Sequence, residues 1–213
     1  MYNILLFDLD GTLTDPGEGI TNSVAYALGK FGIEVTDKTT LYNFIGPPLV
    51  DSFMKYYDFN KEDALLAVDY YREYFGVTGI FENRVFDGIP ELLDTIKKTG
   101  RIIALATSKP EQYATRILDH FDLSQYFDFI GGATMDETRS KKADVIEYTL
   151  KQLNVTDKSN VVMVGDRHHD IDGANQNCLD SIGVLFGYGD REELETAGAT
   201  YIAKTVNDIL KFI

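Results

Sequence analysis

Asp8-Leu9-Asp10-Gly11-Thr12, set directly behind the apolar run Ile4-Leu5-Leu6-Phe7, is the part of this 213-residue chain with the clearest capacity for chemistry. A buried strand that ends in two carboxylates one residue apart presents both on the same side at its carboxyl end, because strand side chains alternate. Asp8 and Asp10 can therefore share one metal and one substrate, an arrangement suited to phosphoryl transfer. Gly11 and Thr12 then turn the chain away, and a glycine lets a ligand approach the backbone closely. Taken alone, Asp-Gly after a strand is equally a hairpin turn, so the reading depends on partner segments further along.

Three such segments follow apolar runs or open helices. Thr107-Ser108-Lys109-Pro110, behind Ile102 to Ala106, offers a hydroxyl and free N–H groups to a phosphate oxygen, with Pro110 expected in the first turn of a helix; an ordinary Ser/Thr helix cap has the same composition. Arg139-Ser140-Lys141-Lys142-Ala143-Asp144 precedes a helix expected near Val145. A lysine at a helix start opposes the dipole, so a bound anion is a reason for it to sit there, although adjacent lysines also serve as a solvated pair. Val161 to Val164 delivers Gly165-Asp166 to a strand end, and Asp170 follows on a turn or helix start. Mg²⁺ takes a few carboxylate or carbonyl oxygens and shares the substrate phosphate, so Asp8, the Asp10 carbonyl and Asp166 suffice, with Asp170 in support. His168 and His169 lack the accompanying Cys or His of a zinc site; His168 is a candidate to line the entrance.

Every candidate residue falls just after an expected strand, where open parallel sheets bind ligands. The strands are read at Ile4 to Phe7, Ile102 to Ala106, Phe127 to Ile130, Val161 to Val164, Ile182 to Phe186 and Tyr201 to Ala203. Between them lie stretches with helical spacing: Leu92, Leu93, Ile96; Tyr113, Ile117, Leu118, Phe121; Val145, Ile146, Thr149, Leu150, Leu153; and Val206, Ile209, Leu210, Ile213. Alternating strand and helix means an α/β fold with a mostly parallel sheet covered on both faces. Gly88-Ile89-Pro90 opens a core helix, with the proline in its first turn. Residues 15–81 interrupt the alternation with two helical stripes, Ile20, Val24, Leu28, Phe31 and Leu65, Val68, Tyr71, Phe75. They are expected to form a small inserted all-α domain, with residues 1–14 and 82–213 forming the core.

Composition narrows the function. A formal charge of −14 argues against nucleic acid as partner, whose binding draws on Lys and Arg, and a phosphate ester entering this field must be held by local positive groups and a cation. One cysteine, Cys178, cannot form an internal disulfide, and the start of the chain lacks the basic and apolar stretches of a signal peptide, so the expected address is the cytoplasm. No apolar run approaches the roughly 18 residues of a membrane span.

These segments, in their order and spacing along the whole chain, resemble the haloacid dehalogenase (HAD) superfamily, in particular its phosphoglycolate-phosphatase-like branch with a helical cap after the first strand. Asp-x-Asp-Gly-Thr combined with Gly-Asp-x-x-x-Asp is far more specific than either alone. The resemblance implies a Rossmannoid three-layer core with a C1-type cap, and a Mg²⁺-dependent phosphomonoesterase working through an aspartyl-phosphate. Asp8 would be the nucleophile, Asp10 the general acid/base, and Asp166 a Mg²⁺ ligand supported by Asp170. Gly11, Thr12, Thr107, Ser108 and a lysine would hold the phosphoryl group. Of the adjacent pair, Lys142 rather than Lys141 stands at the family's usual distance from the apolar Val145-Ile146; Lys109 matches a position less certainly tied to catalysis. The Lys-Pro-x-Pro variant common in this branch is absent. The cap is expected to supply specificity through Phe44-Ile45-Gly46-Pro47-Pro48-Leu49, with Glu18 near the first crossing. The expected substrate is a small phosphorylated metabolite such as phosphoglycolate, a nucleoside monophosphate or a sugar phosphate, acted on by a monomer or homodimer. A phosphosugar mutase of the β-phosphoglucomutase type is the alternative, disfavoured by the lack of a basic residue at Gly46 to Leu49, and a non-catalytic phospholigand binder is a weaker one. Asp10 counts against a dehalogenase.

Overall fold

The computed structural model describes residues 1–136 and 138–213. In chain order the elements are β1 (Ile4–Phe7), β2 (Thr14–Asp15), α1 (Gly17–Lys30), α2 (Leu49–Tyr57), α3 (Lys61–Phe75), β3 (Arg84–Val85), α4 (Ile89–Lys98), β4 (Ile102–Pro110), α5 (Glu111–His120), β5 (Phe129–Ala133), α6 (Lys142–Gln152), β6 (Val161–Gly165), α7 (His168–Gln176), β7 (Asp180–Val184), α8 (Arg191–Thr196) and β8 (Tyr201–Ala203). Contacts divide the chain into two compact units, Met1–Asp15 with Val85–Ile213, and Pro16–Arg84.

The first unit is built on a parallel sheet in the order β5-β4-β1-β6-β7-β8. Its central strands are continuous apolar runs because both faces are covered: Leu5, Leu6, Phe7 and Val161 to Val164 are fully buried. Helices α4, α5 and α6 turn apolar stripes inward, and one face of the core joins Leu6, Ala104, Ala106 and Met163 to Val145, Ile146 and Ala174. Phe7 lies opposite Leu105 on one side and Val164 on the other. Asp8, Thr107 and Asp166 therefore emerge at one edge of the sheet. From β1 the chain winds outward through β4 and β5 and then returns to β6 on the other flank of β1, so this edge is the topological switch point at which open α/β sheets form their crevice.

The second unit is helical. Helices α1 and α3 pack together through Ile20, Val24 and Leu28 on one and Ala64, Ala67, Val68, Tyr71 and Phe75 on the other. Leu65, expected on the inward stripe, is exposed at 44 %, and Ala64 and Ala67 take the inward positions beside Val68, Tyr71 and Phe75. Phe44, expected to meet substrate, packs in this unit's own aromatic cluster, with ring centroids 5.0 Å from Phe53 and 5.7 Å from Tyr56. Glu18 is exposed in the first turn of α1.

Other expectations shift at element ends. Expected at Phe127 to Ile130, β5 runs Phe129–Ala133, and β7, expected at Ile182 to Phe186, runs Asp180–Val184. Pro110 closes β4 and flanks α5 instead of lying within its first turn. The C-terminal amphipathic stretch is a 3₁₀ helix, Val206–Lys211, not an α-helix. Asp208 accepts from the N–H groups of Lys204 and Thr205 at 3.2 and 3.0 Å and pairs with Lys211. The Lys211 ammonium and the Thr205 hydrogen bond lower its pKa from 3.8 to about 2. A depressed carboxyl pKa stabilises the fold above the unfolded value and loses that contribution as pH falls through the folded one. The gap in urea midpoint between the parent and Asp208→Ala should therefore be widest above pH 5 and shrink toward pH 2; a constant gap would remove the ionised carboxylate from this role. Among the described residues no helix is long and apolar enough to cross a membrane.

Candidate active site

The turn after β1 is shaped by what it must avoid. Gly11 has φ +80°, and a Cβ there would collide with the Asp166 carboxylate. Glycine lets the backbone after Asp10 lie directly against β6. The turn is closed by the Gly11 N–H donating to Thr14 O at 2.7 Å and by a bridge between Asp10 and Thr14. Thr12 is fully buried, its Oγ1 3.5 Å from Asp166 Oδ1. Here it supports a carboxylate.

Asp8 and Asp10 each meet an ammonium. Lys142 Nζ lies 2.7 Å from Asp8 Oδ1 and 2.8 Å from Asp170 Oδ1, and donates to Ala106 O at 3.1 Å. Lys109 Nζ lies 2.8 Å from Asp10 Oδ2. Lys142 is the first residue of α6 and is buried, whereas its neighbour Lys141 is exposed. The anions that reconcile an ammonium with a helix N-terminus are the Asp8 and Asp170 carboxylates. Its stem fits because α7 carries Gly173, where a Cβ would come 2.8 Å from Lys142 Cγ. Burial alone pulls the Lys142 ammonium down, but Asp170 and Asp8 outweigh it and hold its pKa above the ordinary lysine range.

Asp166 sits at the end of β6, and the backbone N–H of Tyr188 donates to its Oδ2 at 2.7 Å. Asp170, third in α7, accepts from the Arg167 N–H at 3.1 Å. Burial pushes both up, and the neighbouring carboxylates add to it. Asp166 is raised well above the usual range, and Asp170 rises to about 6 against the opposing pull of Lys142. Burial also raises Asp10, with Lys109 pulling it back.

Thr107 is buried beside this group and its Oγ1 accepts from the Lys109 N–H at 3.2 Å; Ser108 is half-buried. His168 is drawn elsewhere: its N–H donates to Glu193 Oε1 at 2.8 Å and its Nδ1 lies 2.9 Å from Asp172 Oδ2. The half-buried His169 falls to about pKa 4, through burial and the adjacent His168.

The charges at this edge do not balance. Asp8, Asp10, Asp166 and Asp170 face the ammoniums of Lys109 and Lys142, all buried, and with all four carboxylates ionised two negative charges would stand in excess, a repulsion that adds to burial in raising the pKa values of Asp10, Asp166 and Asp170. Asp10 Oδ1 is buried without a hydrogen-bond partner among the described residues. Asp8, Asp166 and Asp170 each offer an oxygen within 4.8 Å of the others. An all-oxygen donor set carrying this excess suits a hard divalent cation.

Sequence reasoning gave Lys109 little weight and passed over Gly187-Tyr188-Gly189. The signal for the latter was available: a glycine-flanked residue just beyond an expected strand, where every other candidate lies.

Residues 5–184 match the sequence model of the family described as haloacid dehalogenase-like hydrolase. A 5'-nucleotidase of Pseudomonas aeruginosa is 46 % identical over 200 residues, covering 94 % of this chain and 90 % of that protein. Tyrosine-protein kinase PtkA of Mycobacterium tuberculosis is 37 % identical over 209 residues, covering 97 % of this chain and 70 % of that protein. The crystal structure of a protein described as a predicted phosphatase from Clostridium acetobutylicum superposes with a TM-score of 0.97 at 50 % identity, covering 100 % of this chain and 98 % of that one.

Proposed function

The chain belongs to the haloacid dehalogenase-like hydrolases, and from that premise we propose that it is a cytoplasmic phosphomonoesterase acting on a small phosphorylated metabolite, with a nucleoside monophosphate the first substrate to test. The observation that carries the reading is the convergence of Asp8, Asp10, Lys109, Lys142, Thr107 and Asp166 at the carboxyl edge of β1, β4 and β6. The 5'-nucleotidase at 46 % identity supports the choice of substrate.

Asp8, held at Oδ1 by Lys142, attacks phosphorus and forms an aspartyl-phosphate as the P–O bond to the leaving group breaks. Asp10 gives its proton to the departing oxygen; the upward shift from burial is the direction an acid working near neutral pH requires. Asp10 then takes a proton from the attacking water as the aspartyl-phosphate is cleaved, and the adjacent Lys109 ammonium favours the ionised carboxylate needed for that step. Thr107 and Ser108 offer hydroxyl donors to the phosphoryl oxygens, whereas the N–H groups expected from Gly11 and Thr12 are taken up within the turn by Thr14 O and Leu9 O. Mg²⁺, held by Asp8, Asp166 and the Asp10 carbonyl with Asp170 in support, would neutralise the phosphate charge against the carboxylates.

The test is phosphate release from a panel containing nucleoside monophosphates, phosphoglycolate and sugar phosphates, with Mg²⁺ and with EDTA. Release should require the cation and be fastest with a nucleoside monophosphate. No release from any member in Mg²⁺ would overturn the reading.

A further inference from the structure

The short loop after β7 does more than follow the strand. A Cβ at Gly187 would collide with Gly11 O and the Asp166 side chain, and one at Gly189 with Asp166 O. The loop backbone is thus wedged against both the turn after β1 and the end of β6, and only glycine on either side of Tyr188 permits this approach. Tyr188 uses both of its ends. Its N–H donates to Asp166 Oδ2 at 2.7 Å, and its phenolic O–H donates to Asp15 Oδ1. Asp15 is the last residue of the sheet-bearing unit before the chain departs at Pro16.

We infer that Tyr188 is a positioning residue for Asp166, with its hydroxyl anchored on Asp15 so that the point where the chain leaves the core sets the affinity of the carboxylate cluster for a divalent cation. The inference rests on the proposed cation-binding role of Asp8, Asp166 and Asp170. The Asp15 bond limits the swing of Tyr188. Its N–H is thereby kept on one oxygen of Asp166, and the carboxylate presents the other to the cluster. Outer partners of metal ligands typically change metal affinity by about 10- to 100-fold when removed. Tyr188→Phe removes only the far anchor and keeps the N–H, so the effect should lie near the lower end.

Mg²⁺ binding to the full chain, measured by calorimetry without substrate, tests this directly. Tyr188→Phe should weaken Mg²⁺ binding by about 3- to 10-fold with an unchanged melting temperature in EDTA. Asp15→Ala should match it, Asp15→Asn should restore most of the affinity because the amide oxygen still accepts from the phenol, and the Tyr188→Phe/Asp15→Ala double variant should be no weaker than either single one. Phosphate release should show a raised Mg²⁺ requirement with kcat at saturating Mg²⁺ little changed. Equal Mg²⁺ affinity in the parent and Tyr188→Phe, or losses that simply multiply in the double variant, would overturn the inference while leaving the cation site intact. Failure of the parent itself to bind Mg²⁺ would overturn both the inference and the cation reading on which it rests.

Discussion

Asp8→Asn should lower phosphate release by at least about 10³-fold while leaving a folded protein. The amide is nearly isosteric with the carboxylate, so the turn after β1 and the packing of Leu5, Leu6 and Phe7 are untouched. What disappears is the negative oxygen that attacks phosphorus in the proposed mechanism. Lys142 keeps two of its acceptors, Asp170 Oδ1 and Ala106 O, so it is not left as an isolated buried charge. Because the four carboxylates outnumber the two ammoniums, removing one negative charge relieves repulsion. In EDTA the variant should melt at or above the parent temperature. A variant that melts normally yet keeps more than a tenth of the activity would take the nucleophile's role away from Asp8.

Lys142→Ala should be damaging in both respects. Its ammonium serves Asp8, Asp170 and Ala106 O from a buried position. Truncation leaves two buried carboxylates facing each other without compensation, and breaking a buried pair from one side costs about 3–5 kcal/mol. Catalysis should fall by about 10²–10³-fold as the positive charge near the phosphoryl oxygens is lost. Lys142→Met keeps most of the stem that packs at Gly173, so it separates loss of charge from loss of packing; activity should fall as far while more stability is retained. Lys141→Ala, at an exposed site, should change stability by less than about 0.5 kcal/mol and leave turnover within about twofold. Thermal melts and phosphate release on the three variants decide the matter, and a larger loss from Lys141→Ala than from Lys142→Ala would reassign the lysine.

The placement of Asp8, Asp10, Thr107 and Asp166 was legible because each follows a buried apolar run. Such runs carry a local signal, since a strand covered on both faces admits little else. The alternation of those runs with amphipathic stretches also announced a parallel α/β sheet interrupted by a helical segment. Less legible were element ends, where caps and packing compete: Pro110 completes β4, and the stretch after Thr205 takes 3₁₀ form with Asp208 as its cap. Leu65 is not a core residue because Ala64 and Ala67, in line with Val68, Tyr71 and Phe75, occupy the inward face at that turn of α3.

The sequence by itself determined which residue types reach the carboxyl ends of the strands, and in which order along the chain. Tertiary structure alone decided how those ends share charge. Lys141 caps α6 in extended backbone while Lys142 is its first helical residue, and the docking of α6 against α7, through Gly173, turned Lys142 rather than Lys141 onto Asp8 and Asp170. Lys109 became the partner of Asp10 because β4 lies beside β1 with Leu105 opposite Phe7. Tyr188 reached Asp166 because β7 is the neighbour of β6. None of these pairings has a local signature, because each joins segments distant in the chain whose proximity is created by the strand order of the sheet.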